Sequence, residues 1–468
     1  LDKITIEAEA EPMTTLTTHR SSSRRAHGTA FWLTAAAFML NMGFSAVPTP
    51  IYGLYEQRDH FSGLVVTVVY AVYAVGVIAS LFLGGHLSDS LGRRRVLVPA
   101  LLVNALSAVI FILFPGLAGL LVARVVSGVS IGLTTATATS YLSELHAHHR
   151  PAAGTRRADM VATAANLGGI GFGPLVAGLL VQFAGDPLSL SYYVFGGALV
   201  VLAAALTLAP ETVSTPDPRP RYRPQTVVVP RRARAVFFAA TAAGIAAFAV
   251  FGVFNSLAPS FLVGSLHERS HAVAGAVAFA AFASAAAAQL LQSRSSSRTL
   301  LIRGVPVIVL GLALLGGAMW AASLAMFIAG GVVAGAGGGM VFKGALVTAA
   351  STAPEGGRAE TLAGFFLGAY IGLSIPVVGL GVATTYWPAK DVMLVFVVLA
   401  AAAIVLSVRA VLAGTAATPA GTAAGPVAPI TPAAAAETDA DADPEAPAAD
   451  PEAPADAQSA RREAVRAS

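Results

Sequence analysis

The chain has 468 residues, 56% of them hydrophobic and only 12% charged, with a mean hydropathy of +0.71. A water-soluble domain carries about twice that charged share, and the apolar residues fall in runs that no aqueous surface could cover. An ordinary soluble enzyme is excluded and a polytopic membrane protein is implied. The net charge of +4 hides an asymmetry: residues 1–413 hold 26 Lys and Arg against 16 Asp and Glu, while the segment after Gly414 holds nine acids and three arginines. The absence of cysteine rules out disulfides, thiolate metal sites and cysteine nucleophiles.

Residues 1–28 are polar, end in Arg20, Arg24 and Arg25, and are expected to form a disordered cytoplasmic N-terminus; with leucine at position 1, Met13 is the expected start. The apolar stretch from Thr29 to Tyr52 is too long for the hydrophobic region of a signal peptide and reads as a retained first span. About 20 apolar residues cross a bilayer core. Charged and Pro/Gly-rich breaks then place spans near 29–53, 62–85, 96–115, 117–143, 159–184 and 189–209. Six more fall near 235–263, 271–292, 304–320, 322–350, 361–386 and 391–413. The expected fold is an all-α polytopic membrane protein of twelve transmembrane helices in two six-helix bundles, over 29–210 and 235–413. A basic, proline-rich cytoplasmic loop, 211–234, joins them. The Ala/Pro-rich, acidic tail 414–468 has too few bulky apolar residues to build a core and is expected to be disordered.

Charge placement orients the spans. With the N-terminus inside, the inner segments carry twenty arginines and the outer loops only Arg58, Arg269 and Lys390. This positive-inside bias puts both termini in the cytoplasm and the protein in the cell membrane.

The most informative segment is Gly84-Gly-His-Leu-Ser-Asp89-Ser-Leu-Gly92-Arg-Arg-Arg95-Val-Leu97, a tight turn between spans two and three. Gly85 and Gly92 permit close approach and unusual dihedrals, Asp89 places a carboxylate at the membrane edge, and Arg93, Arg94 and Arg95 anchor the turn inside. The pattern G-x-L-[SA]-D-x-x-G-R-R/K-x-x-L resembles the loop that marks the major facilitator superfamily, in the same place between spans. The resemblance implies that Asp89 packs against the start of span eleven, Gly356-Gly-Arg358-Ala-Glu360, and locks the cytoplasmic gate when the protein opens outward. A carboxylate at a helix N-terminus is favourable by up to about 2 kcal/mol when partly buried. Glu144, closing span four on the same side, either pairs with Arg93 or Arg94 or is a solvated helix-end acid.

Arg124 lies inside span four, with Gly128 and Gly132 one and two turns on. The glycines allow a neighbouring helix to approach closely. The spacing resembles the family's fourth-helix motif, whose arginine is linked to substrate or proton coupling; the alternative is a structural arginine bonded to span-one carbonyls. In span five, Gly169, Gly173, Pro174 and Gly178 resemble the fifth-helix motif of the family's drug/proton antiporters, with Ala177 replacing one paired glycine. Lys343 in span ten either snorkels to the surface or faces the cavity. Phe44-Ser-Ala-Val-Pro48 echoes Phe254-Asn-Ser-Leu-Ala-Pro259, and Pro174 echoes Pro376, as expected for two parallel halves.

Candidate cavity residues, chosen as polar or amphipathic side chains in apolar spans, are Asn41, Arg124, Asn255, Gln289, Lys343 and Tyr370. With no nucleotide motif, energy would come from an ion gradient; the resemblance favours protons, although no carboxylate within a span is an obvious carrier. The expected function is proton-coupled efflux of a neutral or anionic small molecule by alternating access. The alternatives are proton-linked uptake of a metabolite, or a membrane sensor on the same fold. No enzyme activity, cofactor, metal or nucleic-acid partner is expected; the lipid bilayer surrounds a monomer.

Overall fold

In an apolar solvent every backbone N–H and C=O has to be satisfied within the chain, and these runs of Ala, Val, Leu and Gly resolve that demand as helices. The computed structural model describes residues 14–213, 222 and 224–416. The first part of the chain forms α1 (Thr14–Ala46), α2 (Tyr52–Asp59), α3 (Gly63–Gly84), α4 (Leu87–Leu91), α5 (Arg93–Leu113), α6 (Leu117–His149), α7 (Arg156–Phe183) and α8 (Leu190–Leu206). The second forms α9 (Arg234–Ser256), α10 (Ala258–Leu266), α11 (His271–Leu291), α12 (Ser297–Ala321), α13 (Leu324–Ser351), α14 (Arg358–Ala383) and α15 (Ala389–Ala416). Ser62, Ser270, Ser296 and Ser323 cap α3, α11, α12 and α13, each side-chain oxygen accepting from a backbone N–H three residues on.

Among the described residues eleven helical segments are long and apolar enough to cross a membrane, so the protein is all-helical and multi-pass. The sixth expected span, α8, is apolar but only 17 residues long. It stops at Leu206 because the chain turns back on α5: Arg94 Nη1 donates to the carbonyls of Thr207 and Ala209 at 3.0 and 2.8 Å. Two other expectations shift. Helix α1 begins at Thr14, within the segment read as disordered, while residues 1–13 lie outside the described residues. The first span is broken, with Pro48 leading into a single 3-10 turn, Thr49–Ile51, before α2. Nearly all of the acidic tail, 417–468, lies outside the described residues.

The helices build two hydrophobic cores. Phe38, Phe44, Tyr141, Tyr192 and Phe195 centre the first, over α1 to α8; Phe254, Phe327, Phe365 and Ile404 centre the second, over α9 to α15. Their packing repeats. In the first core α1 packs on α7, α3 on α6, and α5 on α6 and α8; in the second α9 packs on α14, α11 on α13, and α12 on α13 and α15. Two seams join the cores, α7 with α11 and α3 with α14. Large apolar side chains such as Val201, Leu310 and Leu399 stand outward, as lipid-facing positions require.

Small residues set the spacing. A Cβ on Gly128 would strike the backbone of Tyr73, and one on Gly132 would strike Ser80, so α3 and α6 are in backbone contact. On α7, Gly169 and Gly173 meet the backbone of α1 at Met39 and Gly43, and Gly178 meets the His271 carbonyl of α11. The Pro174 carbonyl in turn faces Gly275, so one helix uses its small residues to hold its own core and the seam. Pro376 lies inside α14, on an apolar groove between α9, α14 and α15.

Candidate functional site: a central cavity and its Asp89 face

A cavity of about 530 Å³ lies between the two cores. Its closed end holds Ser45, Tyr70, Arg124 and Asn255; its other end reaches Ser88, Asp89, Asp159 and Ala359, where the Asp89 and Asp159 side chains are exposed. Beyond the closed end the cores are bonded to one another. Thr49 Oγ1 donates to the Asn255 carbonyl at 2.8 Å, His271 Nδ1 to the Pro50 carbonyl at 3.0 Å, and the His271 backbone N–H to Gln182 Oε1 at 3.0 Å. The cavity therefore opens on the Asp89 face and is shut on the opposite face.

Aromatic rings form most of the wall. Phe248 packs at a tilt on Phe342 with centroids 4.4 Å apart and meets Tyr370 edge-on at 6.0 Å; Tyr370 meets Tyr73 across the cores at 6.3 Å. Arg124 is 1% exposed. Its Nη1 donates to the Ser45 carbonyl at 2.6 Å, its Nη2 to the Tyr70 carbonyl at 3.3 Å, and its guanidinium lies 4.6 Å from the Tyr73 ring centre. Its Nε has no hydrogen-bond partner, and among the described residues no carboxylate pairs with it. The bond to Ser45 is the span-one carbonyl contact that a structural arginine would make, yet the group also borders the cavity. Carbonyls and ring faces offset only part of the cost of burying a cation, so the site retains capacity for an anionic or strongly accepting group.

The other sequence candidates separate. Asn255, Gln289 and Tyr370 border the cavity with Arg124. The Asn255 Oδ1 is buried without a hydrogen bond, and Gln289 Nε2 donates to the Gly339 carbonyl at 2.9 Å. Lys343 is half-buried and donates from Nζ to the Gln289 carbonyl at 3.2 Å, which directs its ammonium onto α11. Asn41 is corrected: it is fully buried inside the first core, away from the cavity lining. Its Nδ2 donates to Thr134 at 2.8 Å and Ser130 at 3.1 Å, and its Oδ1 accepts from Asn104 at 2.7 Å. Polarity in an apolar span marks an internal network here, in which Asn104 Oδ1 alone keeps no partner among the described residues.

At the Asp89 face, Arg93 is the hub. Its Nη1 contacts Asp89 Oδ1 at 2.5 Å and Ser88 Oγ at 2.8 Å, and its Nη2 contacts Glu144 Oε1 at 2.8 Å. Gly92 has φ +106°, a backbone region that side-chain-bearing residues rarely enter, and a Cβ there would strike the Glu211 carboxylate. Gly85 needs no such freedom, having φ −59°; it owes its place to close packing against the Leu81 carbonyl. Two residues unremarked in the sequence complete the cluster. Glu211 accepts from the backbone N–H groups of Arg93 and Arg94 at 2.7 and 3.2 Å, capping α5, and Thr212 Oγ1 donates to Glu144 at 2.5 Å. Among the described residues no hydrogen bond or ion pair joins Asp89 to Arg358 or the start of α14; the open cavity mouth, with Ala359 on its α14 side, lies there instead. The start of α14 is met by the connecting segment, where Thr361 Oγ1 donates to the Val228 carbonyl at 2.8 Å. The same segment holds α3 through Gln225, whose N–H donates to the Phe82 carbonyl at 2.9 Å.

Residues 33–315 match the family model described as Major Facilitator Superfamily, which takes in more than half of the chain. The chain is a member of the Major Facilitator Superfamily. Membership aligns the chain with membrane transporters rather than with enzymes. An arabinose-proton symporter of Bacillus subtilis is 31% identical over 91 residues, 19% of each chain. An uncharacterized MFS-type transporter of Methanocaldococcus jannaschii is 26% identical over 178 residues, 38% of this chain and 43% of its own. A major facilitator-type transporter of Psilocybe cyanescens is 33% identical over 130 residues, 27% of this chain and 23% of its own. The chain thus spans less than half the length of each of these relatives, and the likeness reaches the superfamily without choosing a branch such as the drug/proton antiporters.

Proposed function

We propose that the protein is a proton-coupled exporter of a small neutral or anionic molecule with an apolar or aromatic body, working by alternating access. In this reading α8 is a short twelfth span, the two cores are six-helix bundles, and the Asp89 face with both termini is cytoplasmic in the cell membrane. The carrying observation is the cavity itself: about 530 Å³, open at Asp89 and shut at Thr49–Asn255 and Pro50–His271. That volume suits a small organic molecule. Aromatic walls would hold its body, while Arg124, Asn255 and Gln289 would meet its polar groups. Asp159, exposed at the mouth, is the carboxylate best placed to exchange protons with the cytoplasm.

The gate follows from the same picture. With the cavity open inward, Asp89 rests on Arg93; closing the mouth would bring the loop to the start of α14 near Arg358, where the helix N-terminus offers a competing positive end. Two sites of similar strength make a balanced switch. Export is supported by the small-residue pattern of α7, Gly169 to Gly178, which lies along both α1 and the seam. The similarity to a protein named as an arabinose-proton symporter favours proton-linked uptake as the second reading.

The chain contains no cysteine, so introduced pairs report without background. Cross-linking a Pro50→Cys/His271→Cys variant should abolish transport by purified monomer in proteoliposomes, and reductant should restore it. Unimpaired flux through the cross-linked protein would refute alternating access. In everted vesicles, solute accumulation that a protonophore abolishes supports export, accumulation only in right-side-out vesicles supports uptake, and binding without flux in either supports a sensor.

A further inference from the structure

A second recess, of about 670 Å³, opens sideways beside the α6–α7 turn, on the same face as Asp89 but outside the central cavity. Its rim carries Arg150, Arg156 and Arg157, all exposed, and among the described residues no carboxylate lines it. Three like charges on one rim repel one another, and among the described residues no lining carboxylate offsets them. His146, at the back, is 4% exposed. The residue lines the recess, and its Nε2 is buried without a hydrogen-bond partner. A buried ring nitrogen left unpaired costs stability until a ligand engages it.

Below the rim the floor changes character: Met160, Val161, Ala164 and Leu290 are apolar and continue along the outer surfaces of α7 and α11. The level of the rim in the bilayer is marked independently. The Arg157 guanidinium lies 5.7 Å from the ring centre of Trp32, a tryptophan 55% exposed, and such rings concentrate at the membrane–water interface. Arg156 Nη2 donates to Ser293 Oγ at 3.2 Å, so the rim bridges the end of α11 and belongs to both cores.

We propose that this recess binds the phosphate of an anionic phospholipid. The arginines take its oxygens through charge-assisted bonds, His146 closes the back of the recess, and an acyl chain lies on the apolar floor. The floor separates this ligand from a dissolved anion, which has no use for an apolar trough. The inference is independent of the transported solute and of its direction.

The test uses the full chain purified in a neutral detergent. Thermal unfolding and native mass spectrometry are followed with phosphatidylglycerol, phosphatidylcholine or inorganic phosphate alone. Phosphatidylglycerol is expected to stay bound and to raise the unfolding temperature, whereas phosphatidylcholine and inorganic phosphate do neither. Arg150→Gln/Arg156→Gln/Arg157→Gln should weaken phosphatidylglycerol binding at least tenfold, and Arg231→Gln/Arg232→Gln, elsewhere on the same face, should leave it unchanged. If the triple variant fails to fold, the single variants Arg150→Gln and Arg157→Gln carry the test, each expected to weaken binding several-fold. Equal retention of phosphatidylcholine, unchanged binding by the arginine variants, or an equal effect of inorganic phosphate would each overturn the proposal.

Discussion

The two cores pack their helices in the same order and differ in what the helices carry. In the first, the α3–α5 turn is braced by Asp89, Arg93, Glu144 and Glu211, an Asn41–Asn104–Ser130–Thr134 network is buried among the helices, and a guanidinium borders the cavity. In the second, the matching turn between α11 and α12 holds Arg294 and Arg298 with no acid, and the packing relies on glycine, alanine and aromatic rings. One architecture thus serves two purposes. The polar core fixes positions for charge, while the apolar core meets it with small and aromatic side chains.

Removing the cavity cation should have the largest effect. A charge-assisted hydrogen bond contributes about 1.5–3 kcal/mol, equivalent to roughly ten- to hundredfold in affinity or rate. Arg124→Gln should therefore lower transport per folded molecule by about that factor in proteoliposomes, with little change in unfolding temperature, because the glutamine amide keeps a donor for the carbonyls and removes a buried cation with no carboxylate partner. A variant that unfolds but transports normally per surviving molecule would return Arg124 to a purely structural role and break the comparison at its centre.

Next in size is the brace. Arg93→Gln leaves the Asp89 and Glu144 carboxylates without their shared cation. Breaking a fully buried pair costs about 3–5 kcal/mol; with Glu144 29% and Asp89 62% exposed, solvent reduces the expected loss to about 1–3 kcal/mol. Arg298→Gln, in the matching turn, should cost nothing measurable. Thermal unfolding in detergent checks both, and equal losses at the two turns would erase the asymmetry.

Asn41→Ala tests the buried network. It strands Asn104 and two hydroxyls inside the first core, at a cost of about 1–3 kcal/mol. Transport normalised to folded protein should be unchanged, since Asn41 is absent from the cavity lining. A change in substrate affinity would put it back in the cavity.

Hydropathy made most of the helices legible, because each long apolar run has one solution in lipid, and the Asp89–Arg93 turn was legible because its acid, glycines and arginines are consecutive. The Glu144–Arg93 bond could be read as one of two options, as both ends face one side of the membrane. What escaped depended on helix rotation or on distant partners. Asn41 and Asn255 are alike in composition of context, yet one turns into a core and the other into the cavity. Glu211 stands 118 positions from the N–H it caps, and the segment around Val228, basic and proline-rich in sequence, gives no sign that it meets α14. Asp159, a helix-start acid beside two arginines, carries no mark of its own in the sequence; its place at the mouth follows only from where α7 leaves the seam.

The smallest effect should come from the second core's own intramembrane cation. Lys343 and Arg124 are equivalent in a residue count but not in surroundings: the guanidinium lies against two tyrosine rings at the cavity, whereas the ammonium is half-buried and donates to the backbone carbonyl of Gln289. Lys343→Gln retains a donor of similar reach, so one ordinary hydrogen bond at about 1 kcal/mol is the most that can be lost. Transport should fall by about fivefold at most, and unfolding temperature should scarcely move. If instead this variant matches Arg124→Gln in severity, the charge chemistry is shared across the seam, and the second core is more than an apolar partner.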